Sequence, residues 1–283
     1  MFKNKEPKKV IEISAGKWHT LALKEDGTVS AWGSNERRQC TVPFGLKNIQ
    51  AISAGDLHSI ALKKDGTLVA WGGNIFGQCD IPEGLNNVKA VSAGGAHSIA
   101  LKEDGTLIAW GLNHYGQCNI PYDLKDVKAI SAGSFYSIAL KEDGTVVVWG
   151  DNDDGQCDVP EGLENVKAIS AGGWHTVAIK EDGTVIAWGN NDGGQCDIPS
   201  GLEKVKSISA NDRYTVALKE DGTVIEWGEG VNTVLKPPSN LKKIKAISAG
   251  EYHVVAIRED GKVIAWGFDL FGRIDVPRQI RGE

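Results

Sequence analysis

Five histidines recur at one place in a repeating sequence: His19, His58, His97, His175 and His253, with Tyr136 and Tyr214 in the two intervening places. A ring of imidazoles could hold a metal ion. Replacement by Tyr, and identical placement each time, point instead to a repeated structural hydrogen bond, so no metal and no cofactor is expected. Cys40, Cys79, Cys118, Cys157 and Cys196 form a second row that ends in Leu235 and Ile274. Leu and Ile as substitutes indicate a buried apolar slot, and an odd number of thiols without Cys-x-x-Cys spacing suits neither zinc nor a disulfide framework. Free thiols are expected, which favours a reducing compartment. The run Asp151-Asn152-Asp153-Asp154-Gly155 has the composition of a calcium loop, but its Gly falls one place early and no distal Glu follows. The acids of the Lys-Glu-Asp-Gly segments read as solvated turn residues rather than acid–base pairs. No Ser-His-Asp arrangement, phosphate loop or dinucleotide fingerprint is present, so the chain is expected not to be an enzyme.

These residues are placed by a repeat that organises almost the whole chain. Trp-Gly begins at Trp32, Trp71, Trp110, Trp149, Trp188, Trp227 and Trp266, always 39 residues apart. Asp-Gly keeps the same step from Asp26 to Asp260. Seven such units account for 273 of the 283 residues, which leaves no room for a second domain. The net charge of −6, from 31 basic and 37 acidic side chains, repels phosphate backbones and anionic lipid. Neither nucleic acid nor membrane is expected as a partner, and a protein partner should be neutral or basic. No stretch reaches the roughly 20 apolar residues of a membrane helix, and Met1-Phe2-Lys3-Asn4-Lys5-Glu6 lacks a signal peptide's apolar centre. The chain reads as soluble and monomeric, and its composition fits the cytoplasm or secretion after removal of a leader.

In the fifth unit, Val166–Gly172, His175–Lys180 and Thr184–Gly189 are short runs rich in Val, Ile, Thr and Trp, with no apolar stripe at helical spacing. They read as strands, with Lys-Glu-Asp-Gly as a hairpin turn in which Gly takes a positive φ without clash. Thr176 and Ala178 alternate with Val177 and Ile179, so one face is small, the other large, and both are uncharged. A sheet buried on both faces and repeated seven times suits a ring in which each sheet packs between two neighbours. The expectation is an all-β, seven-bladed β-propeller with about four antiparallel strands per blade. A straight solenoid is the alternative, but neither end carries an atypical capping repeat. Residues 1–283 then form one domain, with tails at 1–8 and 278–283. Closure is expected from pairing of Arg273–Pro277 with the N-terminal strand Val10–Ser14.

The pattern complete at Ala171 to Gln195, Ala-Gly-x-x-His-Thr-x-Ala-Ile-Lys-Glu-Asp-Gly-Thr-Val-x-x-Trp-Gly-x-Asn-x-x-Gly-Gln, resembles the regulator of chromosome condensation repeat, and the resemblance covers all seven units. It implies a seven-bladed propeller. Its members include a nucleotide exchange factor for a small GTPase, a plant UV-B photoreceptor and a secreted bacterial inhibitor of β-lactamases. Seven uninterrupted units leave no place for the exchange factor's inserted wedge. Only Trp18 and Trp174 occupy the photoreceptor's Trp position, and His19 and His175 follow them directly without the Arg. The compact unit with its Gln-Cys-Asp-Ile-Pro segment resembles that of the bacterial type II β-lactamase inhibitory protein. That resemblance implies a β-lactamase or a penicillin-binding protein as partner, blocked by occlusion of its cleft.

Differences among the seven copies point to where a partner would touch, because a scaffold repeats while one partner meets each blade differently. The Lys-Glu-Asp-Gly turns and Pro-x-Gly-Leu connections barely vary, whereas the two residues after Ala-Gly and the residues after Trp-Gly vary strongly. These variable loops share one rim and contain Trp18, Phe76, Tyr115, Phe135, Trp174, Tyr252, Phe268 and Phe271. They also carry ten acids, Asp153, Asp154 and Asp192 among them, against three bases, Lys17, Arg37 and Arg213. Exposed aromatics on an acidic rim suit a protein-binding surface. The competing reading is that some of these rings fold back as packing.

Overall fold

The computed structural model describes residues 8–231, 235–239 and 241–282. Seven antiparallel three-stranded sheets follow one another in chain order. In the first, an inner strand Val10–Ala15 pairs with a middle strand His19–Lys24, which pairs with an outer strand Val29–Gly33. The other blades span 49–72, 88–111, 127–150, 166–189, 205–228 and 244–267. Each inner strand neighbours the next, and that of blade 7 neighbours that of blade 1, so the sheets form a seven-bladed propeller. Every inner strand carries a bulge near its start, as between Val166 and Ala168, which adds twist where the strands crowd around the axis.

The expected alternation of small and large faces is what packs the blades. Val177 and Ile179 of blade 5 meet Ala217 and Trp227 of blade 6 in one apolar cluster, while Ala178 and Trp188 receive Tyr136, Ile138 and Leu140 of blade 4. The middle strands are buried along nearly their whole length. Burying a Trp of this kind stabilises by several kcal/mol, from about 200 Å² at roughly 25 cal/mol per Å². Its indole N–H is satisfied as well. Trp71, Trp110, Trp149, Trp188 and Trp227 each donate to the carbonyl of Gln39, Gln78, Gln117, Gln156 or Gln195 in the preceding connection, at 2.9–3.0 Å.

Those connections correct the expectation of four strands. Residues such as 34–48 form successive turns, with Thr41 donating to Arg38, Val42 to Cys40 and Leu46 to Pro43. Their backbone groups are spent on local bonds and on the Trp indole, and Pro43 has no N–H to offer, so no ladder forms.

Closure differs from the expectation in the same way. Residues 273–277 make turns rather than pairing with Val10–Ala15. Instead the Arg273 carbonyl accepts the Trp32 indole at 2.9 Å, and Val276 and Ile280 enter one apolar cluster with Val10, Ile13, Trp32 and Val263. Val263 exchanges backbone bonds with Ile280 and Gly282 at 2.7 Å. The segment 278–282, read from sequence as a tail, is therefore part of the fold; residues 1–7 lie outside the described residues.

Two rings of hydrogen bonds join the blades. Each inner-strand serine accepts an amide from the next blade: Ala54 donates to Ser14, Ala93 to Ser53 and so on, until Ala15 donates to Ser248 at 2.9 Å. The histidines form the second ring. His19 meets Ser59 at 2.8 Å, His58 meets Ser98, His97 meets Ser137, His175 meets Thr215, and His253 meets Thr20 at 2.9 Å across the closure. The Ser59 hydroxyl donates to the Gln39 carbonyl, so it accepts from His19 Nε2–H and fixes the neutral Nε2–H tautomer. Burial lowers the His19, His97, His175 and His253 pKa to about 3 and that of His58 to about 4. Tyr136 and Tyr214 replace the imidazole bond by donating to the carbonyls of His175 and His253. Six of the seven ring residues have a glycine three places earlier, Asn211 before Tyr214 being the exception, and the space is tight: a Cβ at Gly55 would lie 2.4 Å from the Gly94 carbonyl and 2.6 Å from His58.

The cysteines depart from the expected apolar slot. They are free and half-buried, each with Sγ 3.0–3.3 Å from the carbonyl six residues earlier. Burial pushes the Cys40 and Cys157 thiols up to about 12 and the Cys79, Cys118 and Cys196 thiols up to about 11. They are therefore poor nucleophiles at neutral pH. Among the described residues no helix is long and apolar enough to cross a membrane, and no group of three or more His, Cys, Asp and Glu is placed to hold a metal ion.

Candidate protein-binding rim

Both sets of variable residues sit on one rim because the backbone ties them together. The residue after each Trp-Gly donates its amide to the carbonyl of the residue before the ring His or Tyr: Ser34 to Trp18, Asp151 to Phe135, Asn190 to Trp174, Glu229 to Arg213 and Phe268 to Tyr252, at 2.7–3.0 Å. Each regular loop is then stiffened by two side chains. The Asn of blades 1 to 5, as in Asn113, accepts the following Cys amide at 2.8–2.9 Å. The buried Gln accepts the amide two residues earlier at 2.8–3.0 Å. This rigid frame leaves the intervening side chains free to vary.

The rim aromatics separate into two groups. On one arc Tyr115 stacks obliquely on Phe135 at 5.2 Å between ring centroids, and Phe76 meets the edge of His114 at 6.3 Å. On the other, Trp18 meets the edge of Phe271 at 6.3 Å, and Trp174 and Tyr252 line one pocket of about 560 Å³. Phe76, Tyr115, Tyr252, Phe268 and Phe271 are 40–50% exposed, whereas Trp18, Phe135 and Trp174 are half-buried. The rings thus neither fold wholly inward nor stand alone. Asp153, Asp154 and Asp192 are exposed, and Asn190 bonds both Asp154 and Asp192, at 2.8 and 3.3 Å.

Several residues that shape this rim were not among the expected partner-binding residues, although Lys17 and the acids around it were counted in the variable loops. Lys17 reaches across the channel mouth to Asp212 at 2.9 Å and to Glu251 at 3.5 Å. Burial opposes its charge, but Asp212, Asp56 and Glu251 more than offset that and raise its pKa. Asp56 shares the cluster, and burial pushes its carboxyl up to about 7. Arg273, at the Gln position, is fully buried, with its guanidinium 4.9 Å from the Trp18 ring and 5.9 Å from the Tyr252 ring. Burial lowers its pKa, and both terminal nitrogens lack a partner among the described residues. Phe271 beside it holds φ of 65°, a region that favours glycine. The signal for Arg273 was in the sequence: it stands where five other copies have Gln. The opposite rim also carries exposed rings, Phe44 and Tyr122, at the variable place of Pro-x-Gly-Leu. Aromatic exposure is therefore not confined to one face.

The regulator of chromosome condensation (RCC1) repeat matches at residues 10–39, 49–78, 88–117, 127–156, 166–195 and 244–273, that is, six of the seven blades with their following loops. The chain belongs to the RCC1 repeat family. The RCC1 repeat goes unmatched only in the sixth unit, where Asn211 stands in place of the usual Gly and Glu229-Gly230 follows Trp-Gly. Among solved structures, the ectodomain of the Physcomitrella patens receptor kinase CR4 is similar with a TM-score of 0.77 and 26% identity, over 92% of this chain and 74% of that one. The CRINKLY WD40 ectodomain of the Arabidopsis thaliana receptor kinase ACR4 gives a TM-score of 0.75 at 21% identity, over 93% and 99%. Prp20p of Saccharomyces cerevisiae, a structure described together with its binding to Gsp1p and histones, gives 0.59 at 23% identity, over 99% and 80%. The curated proteins include no significant sequence match.

Proposed function

We propose that this RCC1-repeat propeller is a non-enzymatic binding protein that grips a protein partner with the rim carrying Trp18, Trp174, Tyr252 and Phe271. The observation that carries this reading is the arc from blade 5 to blade 1, where half-exposed rings, a pocket of about 560 Å³ and a charged channel mouth stand on a stiffened frame. Rings of this kind bury large area at small entropic cost.

The partner class to test first is a β-lactamase or a related penicillin-binding enzyme. It follows from the likeness of the compact 39-residue unit to the bacterial inhibitor, with inhibition by occlusion of the substrate cleft. The alternative is an interaction scaffold for another protein. Nanomolar inhibition of at least one member of a β-lactamase panel supports the first partner class, and no inhibition across the panel removes it. The rim is tested apart from the partner's identity. Trp174→Ala or Phe135→Ala should weaken partner binding by roughly 2 kcal/mol or more with little change in melting temperature, while Glu142→Gln and Glu181→Gln on the opposite rim leave it unchanged. Equal losses from both rims would refute the assignment.

A further inference from the structure

The pocket between blades 5 and 1 is specific in its chemistry. Trp174 and Tyr252 wall it, and three carboxylates, Asp212, Glu229 and Glu251, face two cations, Lys17 and Arg213. Its net charge is negative. Lys17 is committed to Asp212 and to one oxygen of Glu251. The other oxygen, Glu251 Oε2, is buried without a partner among the described residues. A buried carboxylate oxygen without a donor is unfavourable, and a donor in the pocket that Glu251 lines would relieve it after a small turn of the side chain. At the outer edge Glu229 pairs with Arg213 at 2.9 Å, with both side chains more than half exposed. Such a pair contributes little and exchanges readily with an incoming cation. The fold already uses matching chemistry next door, where the Arg273 guanidinium lies over Trp18 and Tyr252.

From this geometry we infer that the pocket is a subsite for an arginine side chain of the partner, stacked between Trp174 and Tyr252 and bonded to Glu251 and Glu229. Arginine suits it better than lysine because a planar guanidinium stacks on rings and donates to two carboxylates at once. A carboxylate ligand would meet the excess of acids along the whole rim. The inference rests on the rim being the binding face.

Calorimetric titration of the full chain with N-acetyl-arginine amide tests it, with the glutamine and glutamate analogues as controls. A ligand of this size should bind saturably with Kd on the order of 1 mM. The glutamine analogue should bind at least about fivefold more weakly, and the glutamate analogue not measurably. Glu229→Gln and Glu251→Gln should each weaken arginine binding about fivefold, and Trp174→Ala about tenfold. Glu229 is exposed, so its variant folds normally and keeps the test valid if Glu251→Gln is unstable. Absence of saturable binding, equal binding of the glutamine analogue, preference for glutamate, or binding unaffected by all three substitutions would overturn the inference. If the probe fails while rim variants still abolish partner binding, only the arginine subsite falls. If the probe binds while the same variants leave partner binding intact, the pocket stands and the partner-binding role of the rim falls.

Discussion

Blades 2 to 5 and the arc through blades 6, 7 and 1 use one 39-residue unit, yet only the first arc keeps its polar code intact. Between blades 2 and 5 each buried Gln side chain caps a loop amide, and each Trp indole meets a Gln carbonyl. Across the second arc Arg273 replaces Gln, Glu226 stands where blades 1, 2, 3, 5 and 7 have Ala, and Leu235 and Ile274 replace Cys. Glu226 Oε1 accepts from the Trp266 indole at 2.9 Å, but Oε2 is buried without a partner among the described residues, and burial pushes the carboxyl up to about 8. The pocket and the charged mouth lie on this second arc. Among the described residues the charged side chains with a buried atom that lacks a hydrogen-bond partner, Glu226, Glu251, Arg258 and Arg273, all lie on this second arc, and that is where a ligand surface is to be sought.

Four measurements break or sharpen the contrast. The largest effect is expected in acid, and it comes from the ring shared by both arcs. The five ring histidines titrate near 6.5 when unfolded and near 3 to 4 when folded, so the unfolded chain binds more protons between those limits. Stability is therefore full above about 6.5 and falls as pH drops toward the folded values, with a slope of up to about 7 kcal/mol per pH unit if all five contribute. Denaturant midpoints from pH 7 to 4 should fall steeply, and a flat profile would refute the neutral ring. His58→Tyr and His97→Tyr, which copy blades 4 and 6, should each make the slope shallower.

Next comes the closure. Deleting residues 273–283 removes Val276 and Ile280 from the shared cluster and the acceptor of the Trp32 indole. The expected loss is about 5 kcal/mol, from two buried aliphatic side chains and one orphaned donor. A melting temperature within a few degrees of the full chain would show that the side-chain rings alone close the propeller.

Glu226→Ala should act with the opposite pH sign. A carboxyl at 4.5 when unfolded and about 8 when folded resists ionisation, so its cost is absent below 4.5 and grows as pH rises through 8. Allowing for its partial exposure, the variant should gain on the order of 2 kcal/mol at pH 9 and nothing at pH 4. The Trp266 indole keeps the Leu235 carbonyl at 3.1 Å. Equal gains at both pH values would assign the effect to packing.

The smallest effect is expected at Arg273→Gln, which restores the code of the other blades. Removing a buried charge without hydrogen-bond partners at its terminal nitrogens stabilises, while losing the contacts with Trp18 and Tyr252 destabilises, leaving a net gain of about 1 kcal/mol. A loss of more than that, read from denaturant midpoints, would make the stacked guanidinium a structural support.

The sequence by itself determined the seven units, the all-β class and the packing of small against large faces, because each follows from a spacing that repeats in every copy. It also marked the ring residues as structural, since His and Tyr can both hand a hydrogen to the neighbouring blade. The fourth strand was misread for a physical reason. Gln-Cys-Asp-Ile-Pro has strand-like residues, but whether its amides face a partner strand or their own turn depends on how the Trp of the next blade docks against it. The closing contact was misread likewise, since Val276 and Ile280 find their apolar cluster only after seven blades have brought residues 10 and 263 together. Trp18, Tyr252 and Trp174 could be picked from the variable loops. Lys17 reaching Asp212, 195 residues away, and the pocket between those rings exist only once the circle is closed, because pairing between residues far apart in the chain is set by the tertiary fold.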